Sequence, residues 1–385
     1  MPSSRYCPKV AARRNEPNAV SRIALQLPDF PWDSLTPYGD RAKEHPGGMI
    51  DLSVGSPVDA TPVVVRDALA AATDAHAYPQ TSGTPALREA IVEWFERRRA
   101  VRGLTVANVL PTIGSKELIA LLPLILGLGK GDVVVQPAVA YPTYAIGAAI
   151  VGATVMASDD PAEWPENTRL VWVNSPGNPD GRVLSLDQLR AAVARARQLG
   201  AVIAGDECYA ELGWKSHRPT PSILDPRVIG DDRSSVLALY SLSKQSNLAG
   251  YRAAFVAGCS SIIEELLAVR KHLGLIPPAP VQQAMIAALG DESHVAVQRE
   301  VYRSRRARLL PAVKSAGYRV DHSEGGLYLW ATRGLDSWAS VADFAELGIL
   351  VAPGTFYNET PARHVRIALT ATDHDIDAAV TRLML

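Results

Sequence analysis

The sequence predicts an α/β protein built on a mostly parallel sheet, with a smaller α+β domain after it. Two observations carry this. From about residue 108 to 260, apolar runs of strand length alternate with amphipathic segments of helical period. After Ala284 that alternation gives way to a charged helix, short strands and a terminal helix. Length agrees, because 385 residues exceed one ordinary core and call for two domains, or one large α/β domain with a smaller one appended.

The first 26 residues hold several Arg and Lys but no apolar core, so they are not a secretory signal. They read as a disordered extension, a transit peptide and an early start codon being the alternatives. The stretch "LIALLPLILGLG" (118 to 129) is too short to span a bilayer and is broken by Pro123, so it is a core helix. The runs "DVVVQ", "TRLVWVN", "AVIAGDE", "SVLALYS" and "AAFVAG" read as buried strands. Between the second and third, "GRVLSLDQLRAAV" starts a helix at Ser185, and "RQLGAVIAGDE" shows the Gly stop of an αβ junction. Beyond Ala284 come the helix "QREVYRSRRARLLPAVKSAG" and strands around "GLYLWA" and "HVRIAL". The expected organisation is a large domain over 51–284 and a small one made of 27–50 with 285–385.

Composition narrows the function. Hydrophobic residues make up 47% and charged residues 21%, with net charge −1, so nothing favours nucleic acid or a membrane and a small-molecule partner fits best. Cys7, Cys208 and Cys259 lie far apart without CxxC or histidine companions, which excludes a disulfide frame and a zinc site and suits a reducing, cytoplasmic setting. No GxSxG, HExxH or GxGxxG occurs.

In open α/β sheets ligands bind beyond the carboxyl ends of the strands. Here "LVWV" is followed by "NSPGNPDG", "VIAG" by "DECY" and "LALY" by "SLSK". Lys244, in "SLSK", would ordinarily be a solvated loop lysine. Beside two other polar strand ends it reads as a desolvated amine; lowering its pKa from ~10.4 to ~7 costs about 4 to 5 kcal/mol and suits a Schiff base with a carbonyl. Asp206 is either a turn residue or a carboxylate that keeps a cofactor's ring nitrogen protonated. Tyr209 can reach the same ligand only if its strand ends near Glu207. Upstream, "PTIGSKEL" opens a helix at Gly114 and Ser115, a helix start able to attract an anion but not a P-loop.

In the order GSK, NPDG, DECY, SLSK and then Arg, these residues resemble the fold-type I class I/II aminotransferases that use pyridoxal 5′-phosphate, from about residue 47 onward. The resemblance implies a large seven-stranded sheet domain, a small α+β domain and a homodimer with active sites at the subunit interface. It implies that Lys244 bonds the cofactor as a Schiff base and shuttles the proton between the substrate α-carbon and cofactor C4′. Asp206 would hold the pyridinium nitrogen, Tyr209 and Asn178 the phenolic oxygen, and Tyr141 would stack on the ring. Gly114, Ser115, Lys116, Ser241, Ser243 and Arg252 would surround the phosphate, with Tyr78 reaching it from the other subunit. Arg366, in "HVRIALT", would grip the substrate α-carboxylate, with Asn178 beside it. Gly55 would line the substrate pocket, though it could equally be a turn glycine. Asp180 departs from the usual NPTG and alters the turn behind Asn178, whose bond to Pro179 is a candidate cis bond.

The segments "SLSKQSNLAGYRAAFVAG", "ELLAVRKHLGLIPPAPVQ", "GLYLWATRG" and "ILVAPGTFY" resemble the N-succinyldiaminopimelate aminotransferases of bacterial lysine and cell-wall biosynthesis. That implies amino transfer between glutamate and 2-oxoglutarate on one side and N-succinyl-2-amino-6-oxopimelate on the other. So anionic a substrate calls for further cations, the candidates being Lys116, Arg270, Lys271 and His272, although a solvated helix face explains "VRKH" as well. A transaminase of a specialised pathway, a carbon–sulfur β-lyase and a non-catalytic sensor domain are the competing readings.

Overall fold

The computed structural model describes residues 27–214, 220–358 and 362–385; the expected extension at 1–26, with Cys7, lies outside them. Its centre is a seven-stranded sheet in the order Val109–Ile113, Ala253–Gly258, Val236–Ser241, Val202–Asp206, Thr168–Asn174, Val133–Gln136 and Thr154–Ala157. Ala253–Gly258 alone runs antiparallel to its neighbours. The two outermost strands are those without a continuous apolar run. Val109–Ile113 carries Pro111, which an edge position tolerates, and Thr154–Ala157 is half exposed.

Side chains alternate across this sheet and close a core on each face. Val171, Ile203, Ala238, Tyr240 and Phe255 face the helices Pro85–Arg99, Leu186–Gln198 and Ala279–Gly290. Leu170, Trp172, Ala204, Leu237, Leu239 and Val256 face Ser115–Ile125, Thr143–Val151 and Ser260–Leu273. Each fully buried large side chain contributes about 1.5–3 kcal/mol. The Leu186–Gln198 helix begins at Ser185 with a capping box closed by Gln188.

Two expectations need correction. The Ser115–Ile125 helix runs through Pro123 instead of breaking there. The proline removes an N–H from the carbonyl of Ile119, and Gly147 of the next helix packs at that point, where a Cβ would lie 2.9 Å from the Ile119 oxygen. The boundary placed at 284 falls inside the Ala279–Gly290 helix, whose buried Met285, Ala288 and Leu289 belong to the large core. The change of character comes at the helix Ser293–Ser315.

The remaining core gathers Leu35, Ile50 and Leu52 with residues from Tyr302 to Leu383, around a four-stranded antiparallel sheet of Ala352–Pro353, His364–Ala368, Tyr328–Thr332 and Arg319–Asp321. Ile50–Asp51 pairs parallel with Ile349–Leu350, so the chain before residue 50 joins this part. Arg305, on Ser293–Ser315, binds both oxygens of Asp59 at 2.8 and 2.5 Å. Among the described residues no helix is long and apolar enough to cross a membrane.

Candidate active site

A cavity of about 460 Å³ opens at the carboxyl ends of the parallel strands, between the two cores. Its wall includes Gly55, Ser115, Lys116, Tyr141, Asn178, Asp206, Tyr209, Ser241, Ser243, Lys244, Arg252 and Arg366. Of the residues expected at the site, two stand apart. Gly114 lies behind the wall, as the cap of the Ser115–Ile125 helix. Tyr78 is on the surface, 99% exposed, and reaches nothing in this cavity.

Local structure explains each placement. The strand Val236–Ser241 ends in Ser241, which caps the short helix Leu242–Gln245 by accepting the Ser243 N–H at 3.2 Å. That turn delivers Lys244 to the cavity, where its Nζ donates to the Gly55 carbonyl. Burial lowers the basicity of the amine. Gly55 has a steric reason to be glycine: a Cβ there would fall 1.9 Å from the Tyr328 hydroxyl.

Val202–Asp206 ends at Asp206, so the chain turns in time for Tyr209 to enter the same wall. The Asp206 carboxylate takes the Cys208 N–H at 3.2 Å on Oδ1 and the Tyr144 hydroxyl at 2.9 Å on Oδ2. Burial raises its pKa against those donors. The Tyr209 and Tyr328 hydroxyls are 3.1 Å apart. Burial pushes the Tyr328 phenol up, but Arg366 and Lys244 outweigh it and leave the group below its ordinary value.

Arg366 belongs to His364–Ala368, whose other face buries Val365 and Ile367. Its guanidinium donates to Asn178 Oδ1 at 3.0 Å and to the Ser53 carbonyl at 2.6 Å, and lies 4.0 Å from the centre of the Tyr328 ring. The Asn178–Pro179 bond is cis. Asp180 accepts the Arg182 N–H at 3.1 Å, closing an Asx turn behind it.

The start of the Ser115–Ile125 helix meets the same wall as Ser241, Ser243 and Arg252, a corner whose chemistry suits an anion. Gly114 has φ +72°, and a Cβ on it would sit 2.1 Å from Arg252 Nη2, so glycine is what lets the guanidinium approach. Tyr141 meets Tyr144 edge to face at 5.8 Å, and burial raises its phenol to about 12.

Arg270 is not a cation of this cavity. It is fully buried and donates to Glu117 Oε1 at 2.6 Å, while Lys271 and His272 sit on the exposed side of their helix. Of the four proposed extra cations only Lys116 is in the wall. The structure adds Phe30, Trp32, Cys208 and Tyr328 to the wall and Tyr144 behind it. Tyr144, three residues after Tyr141, had a helical-spacing signal. Phe30 and Trp32 had none, since they arrive from a remote segment.

This geometry is that of a cofactor-dependent transferase, and the chain belongs to the family Aminotransferase class I and II, matched over residues 47–383. Members use pyridoxal 5′-phosphate to move amino groups between amino acids and 2-oxo acids. The chain is 55% identical over 93% of its length to 4-dedimethylamino-4-oxo-anhydrotetracycline transaminase OxyQ of Streptomyces rimosus, 99% of which is covered. It is 52% identical over 94% of its length to a probable aminotransferase of Mycobacterium tuberculosis, covering 86% of it. A solved structure from Thermus thermophilus, described as a probable N-succinyldiaminopimelate aminotransferase, superposes with TM-score 0.84 at 27% identity, over 92% of this chain and 99% of that one.

The cavity fits the family's cofactor on its own chemistry. A buried carboxylate, a buried amine and a glycine-cleared arginine beside a helix start match a ring nitrogen, an aldehyde and a phosphate.

Proposed function

We propose that this chain transfers an amino group between glutamate and 2-oxoglutarate on one side and N-succinyl-2-amino-6-oxopimelate on the other. The observation that carries the α-carboxylate part is Arg366: it is 3% exposed, and its partners are an amide oxygen and a carbonyl, so among the described residues no carboxylate neutralises it. The acceptor rests on the likeness to the Thermus thermophilus structure and on Lys116 as a further cation in the wall.

The residues divide the work. Lys244 Nζ bonds the cofactor and moves the proton of the substrate α-carbon. Asp206 would face the ring nitrogen, Tyr209 and Asn178 the ring oxygen, and Tyr141 the ring face. Gly114, Ser115, Lys116, Ser241, Ser243 and Arg252 hold the phosphate. Bound there, pyridoxal 5′-phosphate supplies an electron sink for the α-carbon. Gly55 keeps the space beside Lys244 open, and Arg366 with Asn178 orients the carboxylate. Tyr78, fully exposed on one chain, completes the phosphate site of a second copy in a cytoplasmic homodimer. Large and small domains frame the cavity.

A second reading has its own support. Phe30 stacks on Trp32 at 5.6 Å, and Arg366 and Lys116 lie over the two rings, an aromatic ledge suited to a flat ring-bearing ketone. Streptomyces rimosus OxyQ is by name a transaminase of such a molecule.

A half-reaction screen tests both. Absorbance of the loaded enzyme is followed with a panel of amino donors, then recovered with 2-oxoglutarate, the succinylated oxo acid or a polycyclic ketone. Turnover of the succinylated acid supports the first reading; recovery by the ketone alone replaces it with the second. Pyruvate release from cystathionine without an amino acceptor would overturn both.

A further inference from the structure

A second cavity, of about 300 Å³, is framed by the Leu186–Gln198 helix and the small-domain strands Tyr328–Thr332 and His364–Ala368. That volume suits a small ligand. The turn from Asn174 to Arg182 divides it from the first: Asn174 lines both, Asn178 lines the first, and Gly177 and Asp180 line the second. Asp180 is also where this chain departs from the usual NPTG.

The wall carries three carboxylates against one guanidinium. Two of them are already paired. Asp159 accepts from Arg182 Nη1 at 3.2 Å, while Asp321 accepts from Arg319 Nε at 2.6 Å and lies 2.9 Å from His364 Nε2. Asp180 has no ion pair among the described residues; its Oδ1 takes the Arg182 N–H at 3.1 Å, and its Oδ2 has no hydrogen-bond partner among them. Burial raises its pKa against that N–H and the fields of His322 and Arg182, so the ionised group is short of a counter-ion.

The lining also includes Trp164, Trp172 and Trp330, none more than 3% exposed. The indole N–H groups of Trp164 and Trp172 are buried without an acceptor among the described residues, a need that a ligand oxygen would meet. An unpaired carboxylate, tryptophans and indole donors together match an organic cation with an apolar surface and a neutral oxygen. A ligand with its own carboxylate is disfavoured by Asp159 and Asp321.

We propose that this cavity is a second binding site, for a small alkylammonium ion bearing a hydroxyl, with Asp180 as its counter-ion and the Trp164 and Trp172 N–H groups as donors to the hydroxyl oxygen.

The probe is choline, whose quaternary nitrogen cannot condense with an aldehyde. It is titrated calorimetrically into the enzyme loaded with pyridoxal 5′-phosphate, the first cavity being blocked by aminooxyacetate. Saturable binding at one site per chain is expected, and 3,3-dimethylbutan-1-ol, the uncharged isostere, should bind about tenfold more weakly. Asp180→Asn keeps an acceptor for the Arg182 N–H and removes the charge, so the choline dissociation constant should rise about tenfold while that of the alcohol stays unchanged. Should that variant fail to fold, Ala191→Arg, at an exposed wall position of the Leu186–Gln198 helix, places a cation in the cavity and should abolish choline binding. Absence of saturable choline binding, equal affinity for the alcohol, or an unchanged constant in the folded variant overturns the proposal. Binding that appears only when aminooxyacetate is left out belongs to the first cavity and overturns it too.

Discussion

Replacing Arg366 by lysine keeps the charge and removes the fork. A guanidinium carries five N–H donors. Here one is spent on Asn178 Oδ1 and one on the Ser53 carbonyl, leaving a donor on each terminal nitrogen, and Nε has no partner. An ammonium has three donors and no planar pair, so it cannot hold both protein acceptors and grip a carboxylate bidentately. The expected loss is one charge-assisted hydrogen bond, about 1.5–3 kcal/mol, or a fall of about 10- to 150-fold in kcat/KM. The carboxylate is held alike before and during the chemistry, so the loss should appear mainly in KM. Stopped-flow half-reactions with α-amino acids measure it, and amines lacking a carboxylate serve as a control whose rate should not fall. Wild-type kcat/KM for every α-amino acid in Arg366→Lys would refute the assignment.

Lys244→Ala should abolish turnover while Tm and oligomeric state stay near wild type, and borohydride should no longer fix the cofactor to the chain; full activity would remove Lys244 from the chemistry. Gly55→Ala puts a methyl 1.9 Å from the Tyr328 hydroxyl, so overpacking of about 1–3 kcal/mol should lower the urea midpoint and disturb the carbonyl that holds Lys244; an unchanged midpoint and rate would show that the cavity yields there. Arg99 is wholly buried and donates to Glu207 Oε2 at 2.9 Å, so Arg99→Met should destabilise by about 3–5 kcal/mol through the stranded carboxylate, a figure chemical denaturation can contradict. Arg319, with His364, holds the Asp321 carboxyl down to about 2. A depressed carboxyl contributes stability that is present above its unfolded pKa of about 3.9 and is lost as pH falls from there toward 2. Asp321→Asn should flatten the acid loss of stability over that window, and an unchanged slope in urea titrations would count against the pairing.

Much of the fold and site was legible in the sequence because each piece had a local cause. Apolar runs buried on both faces mark the five inner strands, and polar residues just past three of them mark the crevice. The capped start at Ser185 and the glycine before Ser115 are equally local. The outer strands were not legible, because an edge strand needs no continuous apolar run, and the boundary was misplaced because a core helix, Ala279–Gly290, follows Ala284's own apolar pattern to its end. Arg270 read as a candidate cation for the substrate, or as part of a solvated helix face, since sequence shows a charge but not its partner, here Glu117.

By itself, then, the sequence determined the α/β class, the lysine, aspartate and tyrosine at successive strand ends, and the family whose motif they spell. Those features depend on residues near one another along the chain, where periodicity and turn chemistry act. Only the tertiary structure decided that Tyr144 stands on Asp206, that Tyr328 excludes any side chain from position 55, that Phe30 and Trp32 join the cavity wall, and that Arg366 has no carboxylate partner among the described residues. Each of these joins segments tens to hundreds of residues apart, and such contacts follow from how the elements pack, not from any pattern within one of them.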